Sequence, residues 1–457
     1  MSKNIITRFA PSPTGFLHVG GARSALFNYL YTKQNHGKII LRIEDTDLER
    51  NKKEFTEGIY RAFEWLELKF DETKTQSDNF PIHRQYLEKF LKEGKAYISK
   101  VTEEEKLEAS KEGKTLREEV IRFRNPNKVV TFTDLIRGEV SVNTTDLGDF
   151  IIAKSLDEPI FHFSNVVDDI LMGVTHIIRG EEHLANTPRQ ILLWEAIGEK
   201  ERATYAHIPL ILSETKEKLS KRKHGEIVSV EYYKNKGYLK DAFINFLAFL
   251  GWNPGGEREI YSLEEIVTEF DIKKVQKGGA VFNVEKLNWF NKEYIKLQSE
   301  QEQLKYIKKF LPEIEKYTEE MLLKLRPILV DRISYYAELE DMHDAGDLNY
   351  YLDAPKYENP SEIIWKKSNK EDTILYLNQI KDFLNQNLDI SDENFNNLWD
   401  TIYQLAESKG KGDILWPLRY TLSGKEKSPD PKSLLYILGV KEAVRRIESA
   451  IDSLQSS

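Results

Sequence analysis

The 457-residue sequence has no cysteine, only nine histidines and no long hydrophobic run, and each shortage excludes a class of protein or site. The lack of cysteine excludes disulfide bonds, thiol nucleophiles and cysteine-liganded zinc sites. The longest nearly apolar run, from Ala242 to Leu250, contains Asn245 and is far shorter than the roughly 20 residues of a membrane-spanning helix. Strand-like sequence begins at Asn4, which leaves no room for a signal or transit peptide. We therefore predict a soluble, cytoplasmic protein.

Positive charge is in the minority as well. The chain has 66 Lys and Arg residues against 75 Asp and Glu, a net charge of −9, and 40% of its residues are hydrophobic. This composition is typical of an ordered globular protein, and the length suggests about three domains. The net charge argues against nucleic-acid binding, but residues 216–223 hold five basic residues against one acidic, and Ser408 to Arg446 holds nine against four. Each segment is either a local phosphate-binding surface or a solvated basic face.

The order of elements near the N-terminus predicts a parallel sheet. Asn4 to Ala10 alternates as a strand does, a turn rich in proline and glycine follows, and a helical pattern runs from Ala22 to a stop at 35–37. Lys38 to Asp45 is nearly continuously apolar, as in a strand covered on both faces. Strand, turn, helix and strand in this order form a βαβ unit, whose strands are parallel.

The elements further along the chain give the fold class. Ala96 to about Ile160 has the texture of short strands and turns, which predicts an insertion, and from Tyr232 onward the chain is almost entirely helical. We predict an α/β protein: a parallel-sheet, Rossmann-like domain with an α+β insertion, followed by a mainly α-helical C-terminal half. The other predicted elements are amphipathic helices at Arg61–Leu68 and Arg84–Leu91, a strand at Val174–Gly180, a helix capped by Thr187 and stopped by Gly198, and a strand at Ile208–Leu212.

The turn after the first strand is a candidate phosphate site. In a βαβ unit this turn brings backbone N–H groups and a helix N-terminus to the edge of the sheet. Gly15 and Gly20 match the start of a P-loop, but Gly21-Ala22 stands in place of Lys-Ser/Thr, and no G-x-G-x-x-G is present. The remaining interpretations are an imidazole, His18, beside the phosphates of a nucleotide, or a structural turn with an incidental histidine.

The second candidate is the basic stretch Lys218-Leu219-Ser220-Lys221-Arg222-Lys223, which follows a predicted strand of the same sheet domain. Lysines on a mobile loop can follow the charge that develops on a leaving pyrophosphate, and one well-placed donor is worth about 3 kcal/mol of barrier. The alternative is an exposed basic loop. Its pairing with the His18 turn in one domain favours a nucleotide site.

Together these motifs resemble those of one enzyme family. His18-Val19-Gly20-Gly21 and Lys218 to Arg222 resemble the HIGH and KMSKS signatures of class I aminoacyl-tRNA synthetases. The longer string Arg8 to Gly15 (RFAPSPTG) is more specific and resembles the bacterial glutamate–tRNA ligases. The order and spacing fit over about the first 295 residues, and the helical remainder fits more loosely, best at Trp416 to Arg419. The other motifs that carry the resemblance are Arg42 to Asp47 (RIEDTD), Asn165 to Asp169 (NVVDD), Ile178 to His183 (IRGEEH) and Val281 to Tyr294.

The resemblance implies an enzyme that attaches L-glutamate to the 3′ end of its tRNA. The α-carboxylate of glutamate would attack the α-phosphate of ATP, used with Mg²⁺, and give glutamyl-adenylate and pyrophosphate. The terminal ribose hydroxyl of the tRNA would then accept the glutamyl group. No covalent enzyme intermediate is needed, which suits a chain without cysteine, and catalysis is mainly positioning and charge stabilisation.

The resemblance also assigns site residues. Arg8 and Arg179 would pair with the carboxylates of glutamate and Glu44 with its ammonium group, because buried charges need partners and the arginine fork suits a carboxylate. For each of these residues the alternative is a surface ion pair or a capping group. The residues assigned are His18, Lys218 and Lys221 for catalysis; His18, Gly20, Gly21, Ser220 and Lys221 for ATP; and Arg8, Ala10, Ser12, Glu44, Asn165 and Arg179 for glutamate.

The implied domain plan has five parts in a monomeric enzyme. The boundaries are expected near residue 226 and near residue 299. The parts are 1–95, the first half of the catalytic domain; 96–160, an inserted domain that binds the acceptor stem; 161–225, the second half of the catalytic domain; 226–298, a helical stem-contact domain; and 299–457, a helical anticodon-binding domain.

Two features of the sequence depart from the family pattern. Phe161 stands where the family often has a tyrosine in the glutamate pocket, so one hydroxyl contact is lost or replaced by water. Some members carry a cysteine-liganded zinc in the inserted domain. This chain has no cysteine and scattered histidines, so we expect no structural zinc.

Three rival interpretations are weighed against this one. A glutamine–tRNA ligase would have a neutral substrate side chain, poorly matched to Arg179, and β-barrels in place of the helical half. A tRNA-modifying glutamyl paralogue would lack the anticodon-binding part. A catalytically silent tRNA-binding protein would have no reason to keep both His18 and Lys221. The sequence leaves open whether glutamine tRNA is charged as well as glutamate tRNA.

Overall fold

The computed structural model describes residues 4–46, 50–111, 116–199 and 202–456, in two compact units, Met1–Tyr294 and Ile295–Ser457. The first unit mixes strands and helices. Its strands are β1 (Ile6–Phe9), β2 (Lys38–Ile43), β3 (Glu72–Thr75), β4 (Ala96–Lys100), β5 (Glu119–Phe123), β6 (Val129–Asp134), β7 (Gly138–Asn143), β8 (Phe150–Ser155), β9 (Glu158–Pro159), β10 (His176–Gly180), β11 (Thr204–Ile208), β12 (Ile211–Leu212) and β13 (Ala280–Val281).

Eleven helices accompany these strands in the described part of the chain. They are α1 (Val19–Gln34), α2 (Lys53–Leu66), α3 (Phe80–Lys92), α4 (Glu103–Lys111), α5 (Phe161–Leu171), α6 (Thr187–Ile197), α7 (Lys221–His224), α8 (Val230–Asn235), α9 (Lys240–Phe249), α10 (Leu263–Glu269) and α11 (Val284–Leu297), within which the division between the units falls.

The second unit is helical, with no strand among residues 295–456. Capping begins several of these helices: Ser299 and Glu302 form a reciprocal capping box at α12, and Asp430 caps α19. The helices are α12 (Glu300–Phe310), α13 (Glu319–Arg332), α14 (Glu338–Asp344), α15 (Asn349–Leu352), α16 (Lys370–Asn385), α17 (Phe395–Lys409), α18 (Lys411–Ser423), α19 (Pro431–Leu438) and α20 (Val440–Ser456).

The parallel sheet predicted for the N-terminal part is present. β1, β2 and β3 are parallel neighbours in the order β3-β2-β1, and β10 is parallel to β11. Thr175, just before β10, joins the two groups, because its backbone N–H donates to the carbonyl of Ile6 at 2.9 Å. The chain order therefore reverses between β1 and β10, and ligands of open α/β sheets bind at such a switch point.

The region predicted as an insertion is divided between two sheets. β4, β5, β8 and β9 form an antiparallel sheet, whereas the β6–β7 hairpin continues the sheet of β10 and β11 through the pairing of Tyr205 with Asp134. Phe90, Phe123 and Phe163 pack in one hydrophobic core with Tyr205. The insertion thus shares its core with the second half of the parallel-sheet domain.

The predicted fold class is confirmed, and several element boundaries are corrected. Thr187 is the first residue of α6 and Asn186 holds the N-cap position, because the Thr187 hydroxyl contacts His183 and His207 instead of the helix N-terminus. The strand predicted at Ile208–Leu212 is two strands, since Pro209 has no N–H to donate to a ladder.

The predicted helices at Arg61–Leu68 and Arg84–Leu91 begin earlier, at Lys53 and Phe80. The predicted five-part domain plan is finer than the division into two compact units, and it stays a prediction.

Candidate active site

The turn between β1 and α1 holds His18 as the N-cap of the helix. Its Nδ1 accepts a hydrogen bond from the backbone N–H of Gly20 at 3.0 Å, so the proton of the neutral ring is on Nε2. Burial, together with the charge of Lys218 and against an opposing effect of Glu182, lowers the pKa of His18 to about 4. His18 is thus a neutral hydrogen-bond donor at pH 7. A Cβ at Gly20 would lie 3.3 Å from the His18 ring, so glycine here leaves that ring its place.

The basic loop returns to this turn. The segment after β12 folds back through a bridge between Leu212 and Lys218, and the short helix α7 begins at Lys221. Beyond that helix, the N–H of Val230 donates to the carbonyl of Leu17 at 3.0 Å. The ammonium group of Lys221 lies 5.7 Å from the ring centre of Phe16. The fold therefore brings the two signature-like motifs together, although about 200 residues separate them.

A network of buried ion pairs lies across the ends of β1, β2 and α5. Arg8 donates from Nε to both oxygens of Asp169 at 3.0 and 3.2 Å, and Arg42 donates from Nη1 to Asp169 at 2.6 Å. Arg42 also donates from Nη2 to Oε1 of Glu44 at 3.0 Å, and Asn165 donates to the same oxygen at 2.8 Å. In this network the two guanidinium groups are matched by two carboxylates.

The pKa values within this network follow from burial and pairing. Burial raises the pKa of Glu44 above its ordinary value, although Arg42 and Asn165 act in the opposite direction. Burial also penalises the charge of Asp169, but Arg8 and Arg42 outweigh it, so that the pKa of Asp169 lies below its ordinary value. Burial opposes the charge of Arg42 too, and Asp169 and Glu44 hold its pKa above the ordinary value. Asp169 therefore holds Arg42 as a cation.

Arg179, at the end of β10, has no carboxylate partner among the described residues. Its Nε donates to Nε2 of His207 at 3.2 Å, and its Nη2 donates to the hydroxyl of Thr187 at 2.9 Å. Its Nη1 is buried without a hydrogen-bond partner in the described part of the chain. Burial, together with the charge of the nearby Arg8, lowers the pKa of Arg179 to about 10. The side chain is a buried, unmatched cation, which favours an anionic ligand.

The residues predicted for the site border one cleft and a recess beside it. An open cavity of about 490 Å³ is lined by Arg8, Ala10, Ser12, His18, Gly20, Gly21, Glu44, Asn165, Arg179 and Lys221. An adjoining recess of about 350 Å³ shares His18, Gly20, Gly21 and Lys221, and adds Lys218 and Ser220. Every site residue predicted from the sequence thus borders one of these two spaces. Which role each residue has stays a prediction.

Several residues of the site were not predicted. Arg42 and Asp169 lie within quoted motifs, and a charged residue inside the apolar run of β2 or at the end of an apolar helix is the signal that could have found them. Asp168 is also buried and accepts hydrogen bonds from Gln76, Asn79 and His83 at 2.7 to 2.8 Å.

Phe161 and His183 line the cavity too, with their ring centres 5.5 Å apart. Phe161 therefore lies beside Asn165 at the site, as the motif spacing suggests.

The basic segment of the second unit contains an aromatic group. Trp416 packs against Trp365 with ring centres 5.4 Å apart, and the guanidinium of Arg419 lies 4.8 Å from the Trp416 ring. Tyr420 is buried and its hydroxyl bonds Glu362, so it is a core residue, whereas Trp416 is half-buried. Lys409 and Lys411 are exposed.

The residues that the structure describes contain neither a metal-binding cluster nor a membrane-spanning helix. No three or more His, Asp or Glu side chains in those parts of the chain converge in a way that could hold a metal ion. No helix among the same residues has both the length and the apolar character needed to span a membrane.

Comparison with known proteins gives matches along the whole chain. The family model of tRNA synthetases class I (E and Q), catalytic domain, matches residues 4–119 and 106–289, and the anticodon binding domain model matches residues 290–451. "Glutamate--tRNA ligase 1" of Helicobacter pylori (strain ATCC 700392 / 26695) is 40% identical over 97% of this chain and 98% of its own length. "Glutamate--tRNA ligase" of Carboxydothermus hydrogenoformans is 37% identical over 96% of this chain and 98% of its own length.

A solved structure gives the same assignment. The crystal structure of a glutamate tRNA ligase from Elizabethkingia meningosepticum, in complex with its amino acid, is 34% identical and superposes with a TM-score of 0.85 over 99% of this chain and 100% of that one. The predicted resemblance is confirmed on both sequence and fold: the chain belongs to the glutamate–tRNA ligase family of class I aminoacyl-tRNA synthetases.

Proposed function

We propose that this chain attaches L-glutamate to the 3′ end of a tRNA in two steps, through a glutamyl-adenylate formed from ATP. The observation that carries the proposal is the unmatched, buried cation Arg179 in the cleft that His18 and Lys221 also line. The full-length relatives, all named glutamate–tRNA ligases, support the same activity.

The charged end of the cleft suits glutamate. We assign one carboxylate of the substrate to Arg179 and the other to Arg8, whose Nε is already fixed by Asp169. Glu44 would accept the substrate ammonium group, because Oε1 is held by Arg42 and Asn165 while the side chain borders the cavity. A neutral glutamine side chain would leave the charge of Arg179 buried and unpaired, which costs several kcal/mol.

The other end of the cleft suits ATP, which enters as its Mg²⁺ complex. A carboxylate oxygen of glutamate attacks the α-phosphorus, the new O–P bond forms, and the bond to the bridging oxygen breaks to release pyrophosphate. Charge builds up on the leaving phosphates, and Lys218, Lys221 and the Nε2–H of His18 are the donors we assign to it. At the start of α1 we assign the backbone N–H of Gly21 to the nucleotide, whereas the N–H of Gly20 already donates to His18.

The second step and the remaining domains concern tRNA. The terminal ribose hydroxyl attacks the carbonyl carbon of the adenylate, and AMP leaves with the bonding electrons of the broken C–O bond. We propose that the inserted segment 96–160 and the segment 226–298 contact the tRNA stem, and that 299–457 reads the anticodon. We further propose a monomer working in the cytoplasm, where translation consumes charged tRNA. Light scattering of the purified protein would test the monomer.

Pyrophosphate exchange tests the activity directly. Labelled pyrophosphate should enter ATP when glutamate is present and not when glutamine replaces it, measured with and without tRNA. Charging of purified glutamate tRNA and glutamine tRNA then shows whether one or both are substrates. Binding of tRNA without any glutamate-dependent exchange would contradict the proposal and point to a silent tRNA-binding protein.

A further inference from the structure

We propose that Asp134 and His207 are positioning residues for glutamate binding, because together they fix the orientation of Arg179 and supply the acceptor for its Nε–H. The inference rests on the proposed role of Arg179 as a carboxylate ligand. None of the sequence motifs contains Asp134 or His207: the first ends β6 in the inserted region, and the second lies on β11.

The three side chains form one buried line. His207 is directly opposite Arg179 in the parallel pairing of β10 with β11, and Asp134 is opposite Tyr205 at the end of β6. Nδ1 of His207 lies 2.6 Å from Oδ2 of Asp134, and Nε2 lies 3.2 Å from Nε of Arg179. Asp134 and His207 are 1% and 0% exposed, so no water competes for these contacts.

The hydrogen bonds determine the tautomer of His207. A guanidinium N–H is always a donor, so Nε2 of His207 must present its lone pair, and the proton of the neutral ring must be on Nδ1. That N–H then donates to Asp134. Burial lowers the pKa of His207, although the bond to Asp134 acts in the opposite direction, so the ring is neutral at pH 7. The carboxylate thereby selects the one tautomer that can hold Arg179.

Asp134 is itself held rigidly. Its Oδ1 accepts the backbone N–H groups of Ile136 and Arg137, both at 2.9 Å, and its Oδ2 accepts the backbone N–H of His207 at 3.0 Å. An asparagine that keeps the first two bonds must turn its amide N–H toward His207. The ring would then carry its proton on Nε2, where it would oppose the N–H of Arg179.

A double-mutant cycle tests the inference. Asp134→Asn should raise the KM for glutamate at least tenfold and leave the KM for ATP within twofold, measured by pyrophosphate exchange with tRNA present. His207→Gln should raise the KM for glutamate less than threefold, because the amide oxygen can accept from Arg179 whatever residue stands at position 134. In the His207→Gln background, Asp134→Asn should therefore add less than a threefold change.

The controls separate positioning from folding. Tyr205→Phe removes a buried hydroxyl two residues before His207 that has no partner among the described residues, and it should leave both KM values unchanged. If Asp134→Asn fails to fold, His207→Leu replaces it, because this change removes the acceptor for Arg179 without altering Asp134. A tenfold rise in the KM for glutamate in His207→Leu, against less than threefold in His207→Gln, supports the inference.

Two results would overturn the inference while leaving the proposed function intact. One is an unchanged KM for glutamate in Asp134→Asn, or in His207→Leu if that variant replaces it. The other is an Asp134→Asn change that raises the KM for glutamate by the same factor in the unmodified protein and in the His207→Gln variant. No glutamate-dependent exchange in the unmodified protein would instead overturn the proposed function, and this inference with it.

Discussion

At the scale of single residues, the first unit is distinguished by how its buried charges are matched. Arg8 and Arg42 share the carboxylate of Asp169, whereas Arg179 donates hydrogen bonds only to neutral groups in the described part of the chain: the side chains of Thr187 and His207 and the backbone carbonyl of His183. A buried cation without a counter-ion is costly, which supports the proposal that Arg179 pairs with an anionic ligand.

Removal of that cation should affect one substrate more than the other. We expect Arg179→Ala to raise the KM for glutamate by at least 100-fold and to change the KM for ATP by less than threefold, measured by pyrophosphate exchange. Arg189→Ala, a partly exposed arginine on α6 that does not line the cavity, is the matched control and should behave as the unmodified protein. Equal effects of Arg179→Ala on the two KM values would remove Arg179 from the glutamate site.

The loop lysines offer a similarly matched pair. Lys221→Ala should lower the rate of adenylate formation at least 100-fold, because one donor aimed at developing charge is worth about 3 kcal/mol. Lys223 lies on the same basic segment, pairs with Glu217 at 2.8 Å and does not border the cavity. The Lys223→Ala variant should therefore form the adenylate at a near-normal rate. Single-turnover measurements of both variants decide the point, and a stable Lys221→Ala with a normal rate would exclude Lys221 from the mechanism.

Burial of histidine beside arginine predicts a pH dependence of stability. Burial, with the charges of Arg179 and Arg8, lowers the pKa of His183 to about 3 from 6.5. In the unfolded chain His183 binds a proton near pH 6.5, whereas in the folded chain it stays neutral until about pH 3. The folded state therefore loses stability as the pH falls below 6.5. From pH 7 to pH 5 this group should account for about 2 kcal/mol of the free energy of unfolding.

His183→Gln measures that contribution. Urea unfolding at pH 7 and pH 5, read on the transition that ATP shifts, should show a smaller pH-dependent loss in this variant by about that amount. His343→Gln, in the second unit, removes a histidine elsewhere and should leave the transition unchanged. The same loss in His183→Gln as in the unmodified protein would mean that His183 titrates normally in the fold.

The residues that the sequence allowed us to predict are those in linear motifs. His18, Glu44 and Lys221 lie within short strings whose spacing is informative. Asp134 and His207 lie in no such string, because each matters only through the pairing of β6, β11 and β10, which residues distant in sequence create. Motif reading therefore found the groups that face the cavity and missed the groups that hold them.

At the scale of elements, the close approach of β1 to the turn before β2 determines how the pairing of these two strands begins. A Cβ at Gly37 would lie 2.4 Å from the carbonyl oxygen of Ile5, and that carbonyl accepts the N–H of Lys38. Only a residue without a side chain fits between the helix end and the strand. The start of the βαβ unit thus depends on one glycine.

Gly37→Ala should therefore destabilise the first unit, by about 1 to 3 kcal/mol for a forced backbone shift. Gly278→Ala is the matched control, because a Cβ there meets nothing within 4 Å and the residue has no left-handed conformation. Urea midpoints of the transition that ATP shifts give the comparison. A Gly37→Ala midpoint equal to that of Gly278→Ala would show that the turn relaxes without cost.

Periodicity predicted most elements but not how they associate. The strand at Ile6–Phe9 and the apolar strand β2 lie within the predicted ranges, since alternation and continuous apolarity are local properties. The division of residues 96–160 between two sheets was not predictable, because the pairing of Asp134 with Tyr205 joins positions 71 apart in sequence. Pro209 was the one local signal that could have separated β11 from β12.

At the scale of the whole molecule, an acidic protein must hold a polyanion. The net charge of −9 opposes tRNA binding, so we expect contact to depend on local basic surfaces such as Lys409, Lys411 and Arg419 in the second unit. The half-buried Trp416, with Arg419 over its ring, could add a stacking face for an unpaired base.

Replacement of Lys409, Lys411 and Arg419 together by alanine should weaken tRNA binding and flatten the dependence of log affinity on log salt. ATP binding should be unchanged, because no residue of the triple lines the ATP cavity. The triple Lys305→Ala, Lys308→Ala and Lys309→Ala makes the same change of net charge on α12 and controls for it. Equal affinity and salt slope in both triples would place the anticodon contact elsewhere in the helical unit.

The shared sheet of β6 and β11 restricts how such a chain can be recombined. A chimaera that takes residues 96–160 from a relative exchanges Asp134 and a strand of the central sheet together with the antiparallel sheet, because β6 and β7 lie in sequence between β5 and β8. No single continuous graft can replace the antiparallel sheet of β4, β5, β8 and β9 and leave the β6–β7 hairpin in place. A transplanted insertion therefore brings its own residue at position 134, so we expect a graft made to change only tRNA contacts to change the KM for glutamate as well when the relative lacks an aspartate there.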